Sequence, residues 1–367
     1  MMNKKRVLMA MSGGLDSSVA AMMLHEEGYE IVGITMKTWE YSQNSTAKET
    51  GCCSLDSIND ARDVAVSLGF PHYVLDLREE FNKFIVSDFV DQYLKGRTPN
   101  PCVLCNTHIK WAALLRRADE LDCGYIATGH YAGIKEENGR FIITKGADEK
   151  KDQSYVLWGL NQDQLARTLF PLGNFAKDKI REMAKGYGFE DIAKKRESYE
   201  ICFIPDDDYR KFLKEQMPEL ESKVDGGNFV DINGKVLGKH KGYPFYTIGQ
   251  RKGLNMALGH PMYVKEINAN TNTVVLGEKK DVFSKMFYIS GFNNIKFEKF
   301  PDKYNALVKI RYKDKGVMAD LFLEDNGLVR VELHEEVAAV TPGQSAVAYD
   351  GNDVVGGGFI EKESDTK

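Results

Sequence analysis

Ser12-Gly13-Gly14-Leu15-Asp16-Ser17-Ser18 lies between an apolar run, Arg6 to Met11, and a helical pattern that begins near Val19. Two adjacent glycines let the backbone approach an anion closely, and a following helix directs free N–H groups and the positive end of its dipole at that anion. A carboxylate beside phosphates needs a bridging cation, so Asp16 predicts a Mg²⁺ ion. The spacing differs from that of the Walker loop. The segment therefore predicts a phosphate-binding loop, with an ordinary capped helix start as the alternative.

Apolar runs typical of buried strands alternate with helical patterns in the first half of the chain. Strands are predicted at Arg6 to Met11, Ile31 to Lys37, His72 to Leu77 and Tyr125 to Gly129, and helices at Val19 to Tyr29, Ser57 to Leu68, Glu79 to Leu94 and His108 to Leu121. Such alternation predicts an α/β fold with a parallel sheet covered on both faces. Ligands bind at the carboxyl ends of the strands in such sheets, where Ser12 to Ser17 and Thr128 to His130 both follow a strand.

The pattern changes after about residue 200. A helical piece at Asp208 to Met217 is followed by short strands with glycine turns, and from Lys279 onward the pattern is of short alternating strands. Regular short strands with Gly or Asn turns favour a small barrel. We therefore predict three domains: a parallel-sheet nucleotide-binding domain over 1–204, a small central α+β domain over 205–278, and a C-terminal β-barrel that contacts RNA over 279–363.

The composition of the chain limits the classes of protein to which it can belong. The chain has 367 residues, which is more than a domain with a single hydrophobic core usually contains. Its residues are 43% hydrophobic and 28% charged, an ordinary balance for a soluble globular protein. The basic and briefly apolar start resembles a signal peptide, but its apolar stretch is too short and ends in a glycine turn. No stretch approaches the roughly 20 apolar residues of a membrane span. We expect a cytoplasmic protein with no membrane partner.

Charge is unevenly distributed along the chain. The formal net charge is −5, yet six basic and no acidic residues lie between Ile232 and Lys265, and eight basic residues accompany three acidic ones between Lys285 and Lys315. One such run alone usually indicates a solvated surface. Two runs outside the nucleotide-binding domain predict a polyanionic partner, because binding depends on local charge and not on net charge.

A second decisive segment is Gly96 to Asn106, GRTPNPCVLCN. Its two prolines restrict the residues before them, so it predicts a rigid loop that presents Cys102 and Cys105 near the start of the next helix. A thiol at a helix N-terminus has a lowered pKa. No second C-x-x-C pair exists, and adjacent Cys52 and Cys53 suit zinc poorly, so reactive thiols are favoured over a zinc site or two buried thiols.

Six segments together carry a resemblance to a known family. They are MSGGLDSSVA, GRTPNPCVLCN, ATGHY, KDQSY, ICFIP and TIGQRKGL, which span residues 9 to 254 in the order that the family has them. The S-G-G-x-D-S pattern resembles the loop of the ATP pyrophosphatases, whose domain has the adenine nucleotide alpha hydrolase-like fold. The full set resembles the tRNA-specific 2-thiouridylases. This resemblance implies a tRNA-uridine 2-sulfurtransferase that cleaves ATP to AMP and pyrophosphate.

The resemblance also implies a mechanism. ATP adenylates the oxygen at C2 of the wobble uridine, and a cysteine persulfide then delivers sulfur to that carbon. The motif match makes Cys202 the persulfide carrier, although a Cys in an apolar run would by itself indicate core packing. It makes Cys105 the nucleophile that forms a disulfide with Cys202. Many relatives carry Asp, thought to act as acid/base, where this chain has Cys102, so that role is open and Cys102 could compete with Cys105.

Further site residues follow from the resemblance alone. ATP contacts are predicted at Ala10, Met11, Ser12, Gly13, Gly14, Leu15, Asp16, Ser17, Met36 and Gly129, with Asp16 as metal ligand. tRNA contacts are predicted at Asn100, Pro101, Cys102, His130, Lys151, Asp152, Gln153, Arg311, Tyr312 and Gln344. The implied cofactors are ATP and Mg²⁺. The implied partners are tRNA and an upstream sulfur donor, a cysteine desulfurase acting directly or through relay proteins.

Three alternatives stay open at this stage. An amino-acid ligase of the ATP pyrophosphatase superfamily, such as an argininosuccinate synthetase, would not need cysteines in two separated turns. A non-catalytic RNA-binding protein would bind tRNA without consuming ATP. An iron–sulfur-dependent thiolase would use Cys102, Cys105 and Cys202 as cluster ligands, which leaves one iron position open.

Overall fold

The computed structural model of the protein describes residues 3–40, 54–195, 201–204, 206–256 and 259–362. Cys52 and Cys53 lie outside these residues, as do Pro205 and residues 198–200 of the segment around Cys202. The described residues form three sheets. None of the helices among them is both long and apolar enough to cross a membrane.

The helices and strands are as follows. The strands are β1 (Asn3–Ala10), β2 (Glu30–Lys37), β3 (His72–Asp76), β4 (Cys123–Ala127), β5 (Ala132–Glu137), β6 (Arg140–Lys145), β7 (Thr168–Leu169), β8 (Gly227–Asp231), β9 (Val236–His240), β10 (Tyr263–Asn268), β11 (Thr273–Gly277), β12 (Phe283–Asn294), β13 (Lys303–Lys309), β14 (Val317–Leu323), β15 (Val329–Ala338), β16 (Ser345–Asp350) and β17 (Asp353–Glu361). The helices are α1 (Leu15–Glu26), α2 (Leu55–Leu68), α3 (Arg78–Phe81), α4 (Ser87–Leu94), α5 (Pro101–Leu104), α6 (Trp111–Glu120), α7 (Gln162–Ala166), α8 (Lys177–Gly186), α9 (Glu190–Lys194), α10 (Tyr209–Gln216) and α11 (Leu220–Val224). Two π-helical turns, Asn82–Val86 and Cys105–Lys110, connect α3 to α4 and α5 to α6.

The first sheet is parallel, with the strand order β3-β2-β1-β4-β7, which confirms the predicted α/β fold. Val7 and Met9 of β1 pack in an apolar cluster with α1, α2 and α8 on one face of the sheet. Leu8 packs with α6 on the opposite face. Because both faces are covered, Val7 to Ala10 of this strand form a continuous apolar run and not an alternation.

The helix that carries two of the cysteines begins earlier than the sequence predicts. α5 starts at Pro101, where a loop is predicted up to about His108. Proline suits the first helical position, because its missing N–H would have no partner there and its φ is already helical. Asn100, the residue before it, keeps non-helical backbone angles. Cys102 and Cys105 therefore lie in the first turns of a helix and not ahead of it.

The C-terminal domain forms an antiparallel barrel, as predicted. Its six strands follow the order β12-β15-β14-β13-β16-β17, and β12 pairs with β17 to close it. The hairpin β5–β6 from the first half of the chain adds to β17, which the sequence analysis does not predict. The turn residues Asn138 and Gly139 both have left-handed backbone angles, as in the Asn-Gly turns that are typical of two-residue hairpins. The barrel and the nucleotide-binding domain therefore share a continuous sheet.

The central domain contains a four-stranded sheet, β10-β11-β8-β9. Phe203 lies at its junction with the nucleotide-binding domain, and the ring centroid of Phe203 is 5.5 Å from that of Phe81 and 5.3 Å from that of Phe89. Phe212 of α10 lies 5.1 Å away on the central side. Aromatic pairs at such distances add to the free energy gained by burial. The segment around Phe203 is thus fixed between the nucleotide-binding and central domains.

The barrel also holds the loop that precedes α5. The side-chain amide of Gln344 donates to the carbonyl oxygens of Thr98, at 3.1 Å, and Pro99, at 3.0 Å. At the neighbouring Gly343, φ is +89° and an added Cβ would lie 2.8 Å from the Thr98 oxygen. Only glycine fits this position without displacing the loop.

Gly343→Ala tests this contact, and Gly351→Ala is its matched control. Both positions have left-handed backbone angles, but an added Cβ at Gly351 would meet nothing within 4 Å. We expect Gly351→Ala to cost about 1 kcal/mol and Gly343→Ala about 3 kcal/mol or more, because crowding adds to the cost of the left-handed backbone. Thermal unfolding measures the difference. Equal melting temperatures would show that the barrel does not hold the loop tightly at Gly343.

Candidate active site

The predicted phosphate loop lies where β1 ends and α1 begins. The backbone N–H of Ser12 donates to Ser17 Oγ at 3.0 Å, and the Ser18 hydroxyl donates to the Gly14 carbonyl at 2.9 Å. These bonds hold the loop over the first turn of α1, where helix N–H groups lack partners within the helix. The side chain of Ser12 is exposed, whereas Ser17 and Ser18 are buried. The arrangement suits an anion.

Two glycines let neighbouring elements approach this loop. At Gly13, with φ of +67°, an added Cβ would lie 1.9 Å from the carbonyl oxygen of Ser57 on α2. At Gly129, after β4, it would lie 2.8 Å from the backbone N of Ser17. Met36, predicted on the adenine side, is half-buried near the end of the adjacent strand β2. The ends of three parallel strands thus surround the loop, where α/β sheets bind ligands.

Asp16, in the first turn of α1, pairs with a lysine that the sequence does not single out. Lys177 Nζ lies 2.7 Å from Asp16 Oδ1 and 2.8 Å from Oδ2, and the Tyr131 hydroxyl donates to Oδ1 at 2.7 Å. Lys177 begins α8, is 7% exposed, and has its ammonium 5.5 Å from the centre of the Tyr131 ring. A buried ammonium therefore stands beside the predicted phosphate site.

A second cation lies on the same loop. Lys195 Nζ donates to the carbonyl oxygen of Gly13 at 2.7 Å and forms an ion pair with Asp60 of α2. Both Lys195 and Lys177 come from segments far along the chain from the glycine motif. Each pairs with a carboxylate on a helix of the nucleotide-binding domain, so the charges of this site are compensated locally.

The arrangement fits a Mg²⁺ ion through one remaining position on Asp16. A carboxylate offers about four lone-pair sites, and three of those on Asp16 are taken by Lys177 and Tyr131. One lone pair on Oδ2 remains. Nucleotide-bound Mg²⁺ commonly takes one or two carboxylates, while phosphates and waters complete its coordination. Asp16 as a metal ligand stays a prediction.

His130 follows β4 and lies between apolar rings. Its Nδ1 is 2.8 Å from Thr128 Oγ1, and its ring centroid lies 5.6 Å from Trp111 and 6.0 Å from Phe170. Burial lowers the pKa of His130 to about 3, and the positive charge of Lys110 acts in the same direction. His130 is therefore neutral near pH 7, so a contact with RNA would use hydrogen bonding or stacking and not charge.

Cys102 and Cys105 lie about one helical turn apart but differ in exposure. Cys102 is exposed, whereas Cys105 is buried in an apolar cluster. Protein nevertheless surrounds Cys102 closely enough to desolvate its thiol and raise its pKa, and Lys110 opposes this only weakly. The lowered thiol pKa predicted from the helix start is therefore wrong for Cys102, because desolvation dominates.

The Cys202 segment packs into the large apolar cluster that also contains Cys105. Cys202 is exposed, while Phe203 and Ile204 are buried in the same apolar cluster as Cys105. Across the described ranges of the chain, no group of three or more His, Cys, Asp or Glu side chains is placed to hold a metal. In this conformation Cys102, Cys105 and Cys202 therefore do not assemble a cluster site.

Predicted tRNA contacts from three distant segments lie together. Burial raises the pKa of the Tyr312 phenol, and the charge of Asp152 acts in the same direction. Lys151 lowers this pKa and Cys102 raises it, so both lie within electrostatic reach of Tyr312. Tyr312 is 40% exposed, and its ring lies 6.1 Å from that of Tyr155. Tyr312 of the C-terminal domain thus lies beside Tyr155 of the nucleotide-binding domain, near the predicted contacts Lys151 and Asp152.

Several predicted tRNA contacts have internal partners. Asp152 is buried, and its Oδ1 accepts from the backbone N–H groups of Gly146, at 3.0 Å, and Ser154, at 3.1 Å. The side chains of Asn100, Gln153 and Gln344 likewise form internal hydrogen bonds, and Pro101 is buried at the start of α5. These placements favour supporting roles, and direct contact of these residues with tRNA stays a prediction.

Family models match the chain in three consecutive stretches. A model described as a tRNA methyl transferase HUP domain matches residues 5–206, a tRNA methyl transferase PRC-barrel domain matches residues 210–278, and an aminomethyltransferase beta-barrel domain matches residues 284–360. Among solved structures, a 4-thiouridine synthetase in complex with RNA and bound ATP aligns with 58% of this chain and 50% of that chain. Its 19% identity and TM-score of 0.36 are too low to bear on function.

Full-length relatives are much closer. The tRNA-specific 2-thiouridylase MnmA of Amoebophilus asiaticus is 58% identical over 98% of this chain and 96% of its own length. The enzyme of the same description from Cytophaga hutchinsonii is 57% identical over 98% of both chains, and that from Salinibacter ruber is 52% identical over 99% of this chain and 96% of its own. Identity at this level along the whole length shows that the chain belongs to the tRNA-specific 2-thiouridylases, a family of tRNA sulfurtransferases.

Proposed function

We propose that this enzyme uses ATP to adenylate the C2 oxygen of the wobble uridine of tRNA, and then replaces that oxygen with sulfur from a Cys202 persulfide. The observation that carries the proposal is the proximity of the phosphate loop to the cysteine helix. His130 follows Gly129, which packs on the phosphate loop, and its ring centroid lies 5.6 Å from that of Trp111, where α6 continues the cysteine helix. The C2 carbon of the uridine could therefore be activated by adenylation of its oxygen and attacked by the persulfide sulfur at the same site.

Activation is needed because the uridine C2 oxygen is a poor leaving group, whereas AMP is a good one. The N–H groups at the start of α1 would hold phosphate oxygens, and Lys177 would stabilise the charge that develops on the departing pyrophosphate. A Mg²⁺ ion on Asp16 would add charge neutralisation. Phosphate oxygens would compete with Asp16 for the Lys177 ammonium. The buried cation would therefore have an anionic partner both before ATP binds, in Asp16, and afterwards, in the phosphates.

Sulfur transfer would use two thiols of this chain. The terminal sulfur of the Cys202 persulfide forms a bond to C2, and AMP leaves with the original oxygen. The Cys105 thiolate then attacks the Cys202 sulfur, the S–S bond breaks, and its electron pair remains on the sulfur bound to uridine as the thiocarbonyl. The cysteines end as a disulfide. A thiol reductant and a new sulfur atom from the upstream donor, a desulfurase or its relay, must therefore restore them.

RNA binding would position the uridine over Cys102. Among the predicted tRNA contacts, Tyr312 and Arg311 are exposed and the cationic Lys151 is half-buried. An iron–sulfur route is the alternative, and it has no support from the arrangement of the cysteines described above. Iron and acid-labile sulfide measured in anaerobically purified, active protein would decide between the two routes.

Lys177→Met tests the role of the buried ammonium. We expect AMP and pyrophosphate formation in the presence of tRNA to fall roughly 100-fold or more, because one preorganised charge at the reacting phosphates is removed. Asp16→Ala should abolish the same reaction while the protein stays folded. Lys179→Met, an exposed position on the same helix, is the control and should leave the rate unchanged. A folded Lys177→Met enzyme with the wild-type rate would refute this role.

Cysteine substitutions test the sulfur pathway. Cys202→Ser and Cys105→Ser should each abolish 2-thiouridine formation, measured by mass spectrometry of digested tRNA. Cys105→Ser should still accept sulfur on Cys202 from a desulfurase, since only the second step needs Cys105. Cys102→Ser should impair the reaction without abolishing it.

Cys123→Ser is the matched control. Cys123 is fully buried on β4, and burial raises its pKa to about 11, so its thiol should be inert. Persulfide found on Cys102 or Cys105, together with an active Cys202→Ser enzyme, would show that the roles are assigned wrongly even if the overall reaction is right.

A further inference from the structure

A basic cleft on the central domain is separate from the site described above. It is a shallow depression of about 580 Å³, open to solvent, and is lined by Arg210, Thr247, Ile248, Gln250, Arg251, Lys252 and Tyr263. Three of these lining side chains are cationic and none is acidic. Arg251 and Lys252 are exposed, while Arg210 and Tyr263 are half-buried. A concave surface of this composition attracts anions.

The turn that carries the exposed Arg251 and Lys252 is held by its own hydrogen bonds. The Thr247 N–H donates to Gln250 Oε1 at 3.1 Å, and the Gln250 side-chain amide donates to the Lys252 carbonyl at 2.9 Å. Gly249 and Gly253 have left-handed backbone angles, which the turn requires at both positions. Because the backbone is already ordered, binding at this turn loses little conformational entropy.

Arg210 is oriented by the same turn. Its Nε donates to the Phe245 carbonyl at 2.8 Å, and its Nη2 lies 3.3 Å from Gln250 Oε1. Asp207 and Asp208 line a neighbouring depression on the other side of Arg210. The Asp208 carboxylate accepts the first N–H groups of α10, so it caps that helix and does not line the cleft.

The cleft adjoins the side of the barrel where tRNA contacts are predicted. Gly249 packs so closely on the barrel that an added Cβ would lie 2.5 Å from the Cβ of Ala339. The preceding residue, Ala338, accepts a hydrogen bond from Arg311 Nη2 at 3.2 Å. Arg311 and the cleft therefore flank the same end of β15. A single polyanion could extend from one to the other.

We propose that this cleft binds a backbone segment of the tRNA whose uridine enters the active site. The inference rests on the proposed function, because it requires tRNA to occupy the barrel side first. Phosphodiester oxygens match the chemistry of the lining: Arg210 offers an oriented guanidinium, and Arg251 and Lys252 add charge. The Tyr263 ring offers a face on which an unpaired base can stack. The central domain would thus contribute affinity for RNA outside the target base.

The test uses the full chain with the substitutions Arg251→Gln and Lys252→Gln combined, and a second variant with Glu at both positions. The matched control combines Lys179→Gln and Lys185→Gln, two exposed lysines of α8, which packs on the sheet face away from the barrel. Affinity for an unmodified tRNA transcript is measured over a range of salt concentrations. We expect the double Gln variant to bind roughly tenfold more weakly, with a log–log salt slope shallower by between about one and two units.

The remaining readouts separate the outcomes that would contradict the proposal. ATP binding should be unchanged in every variant, and the α8 control should match wild type in affinity and slope. Wild-type affinity and slope in both cleft variants would overturn the cleft assignment and leave the proposed function intact. Slower sulfur delivery from a protein donor with unchanged tRNA affinity would also overturn it, and would assign the cleft to that protein. A wild-type enzyme without salt-dependent tRNA affinity would contradict the proposed function itself.

Discussion

The loop before the cysteine helix cannot form all the hydrogen bonds that its backbone carbonyls need. Donors from other parts of the protein must supply them, and this constraint links the loop to the barrel. Pro99 and Pro101 have no N–H groups and disfavour helical geometry at the residue before each of them. The carbonyls of Thr98 and Pro99 therefore need donors from elsewhere, and the Gln344 amide supplies both. Gln344 lies 245 residues downstream of Pro99. The last domain of the chain thus helps to hold the loop from which the helix of Cys102 and Cys105 starts.

Several further contacts join the barrel to the nucleotide-binding domain near this loop. Arg97 pairs with Glu361 at 2.6 Å, with both side chains largely buried. The Tyr155 hydroxyl donates to the Ser345 carbonyl at 2.8 Å, next to the residues that hold the loop. The hairpin β5–β6 extends the barrel sheet from the first half of the chain. Removing one partner of a buried ion pair is costly because the other charge stays uncompensated. Because several contacts join the two domains, the loss of one of them should leave the barrel in place against the nucleotide-binding domain.

What the sequence could predict depended on whether the signal was local. The apolar run of β1, the glycine loop and the short strands of the barrel are determined by neighbouring residues, and the structure confirms the parallel sheet and the barrel. The β5–β6 hairpin was not predicted, and the pairing of β6 with β17 depends on residues more than 200 positions away. Lys177 begins an ordinary amphipathic helix and meets Asp16 only after folding, so no pattern marked it. The pKa of Cys102 followed the surrounding tertiary structure and not the helix start.

The raised pKa of Cys102 changes what this position can do where relatives carry aspartate. A carboxylate at neutral pH can only accept hydrogen bonds, whereas a protonated thiol is a weak donor and a weak acceptor. At the predicted contact with a bound base, an aspartate would favour a ring N–H, whereas the Cys102 thiol would favour a carbonyl oxygen or no polar contact. The positive charge of Lys110 acts on both Cys102 and His130. Proton transfer in this enzyme should accordingly depend less on residue 102 and more on the groups of the incoming sulfur and the departing AMP.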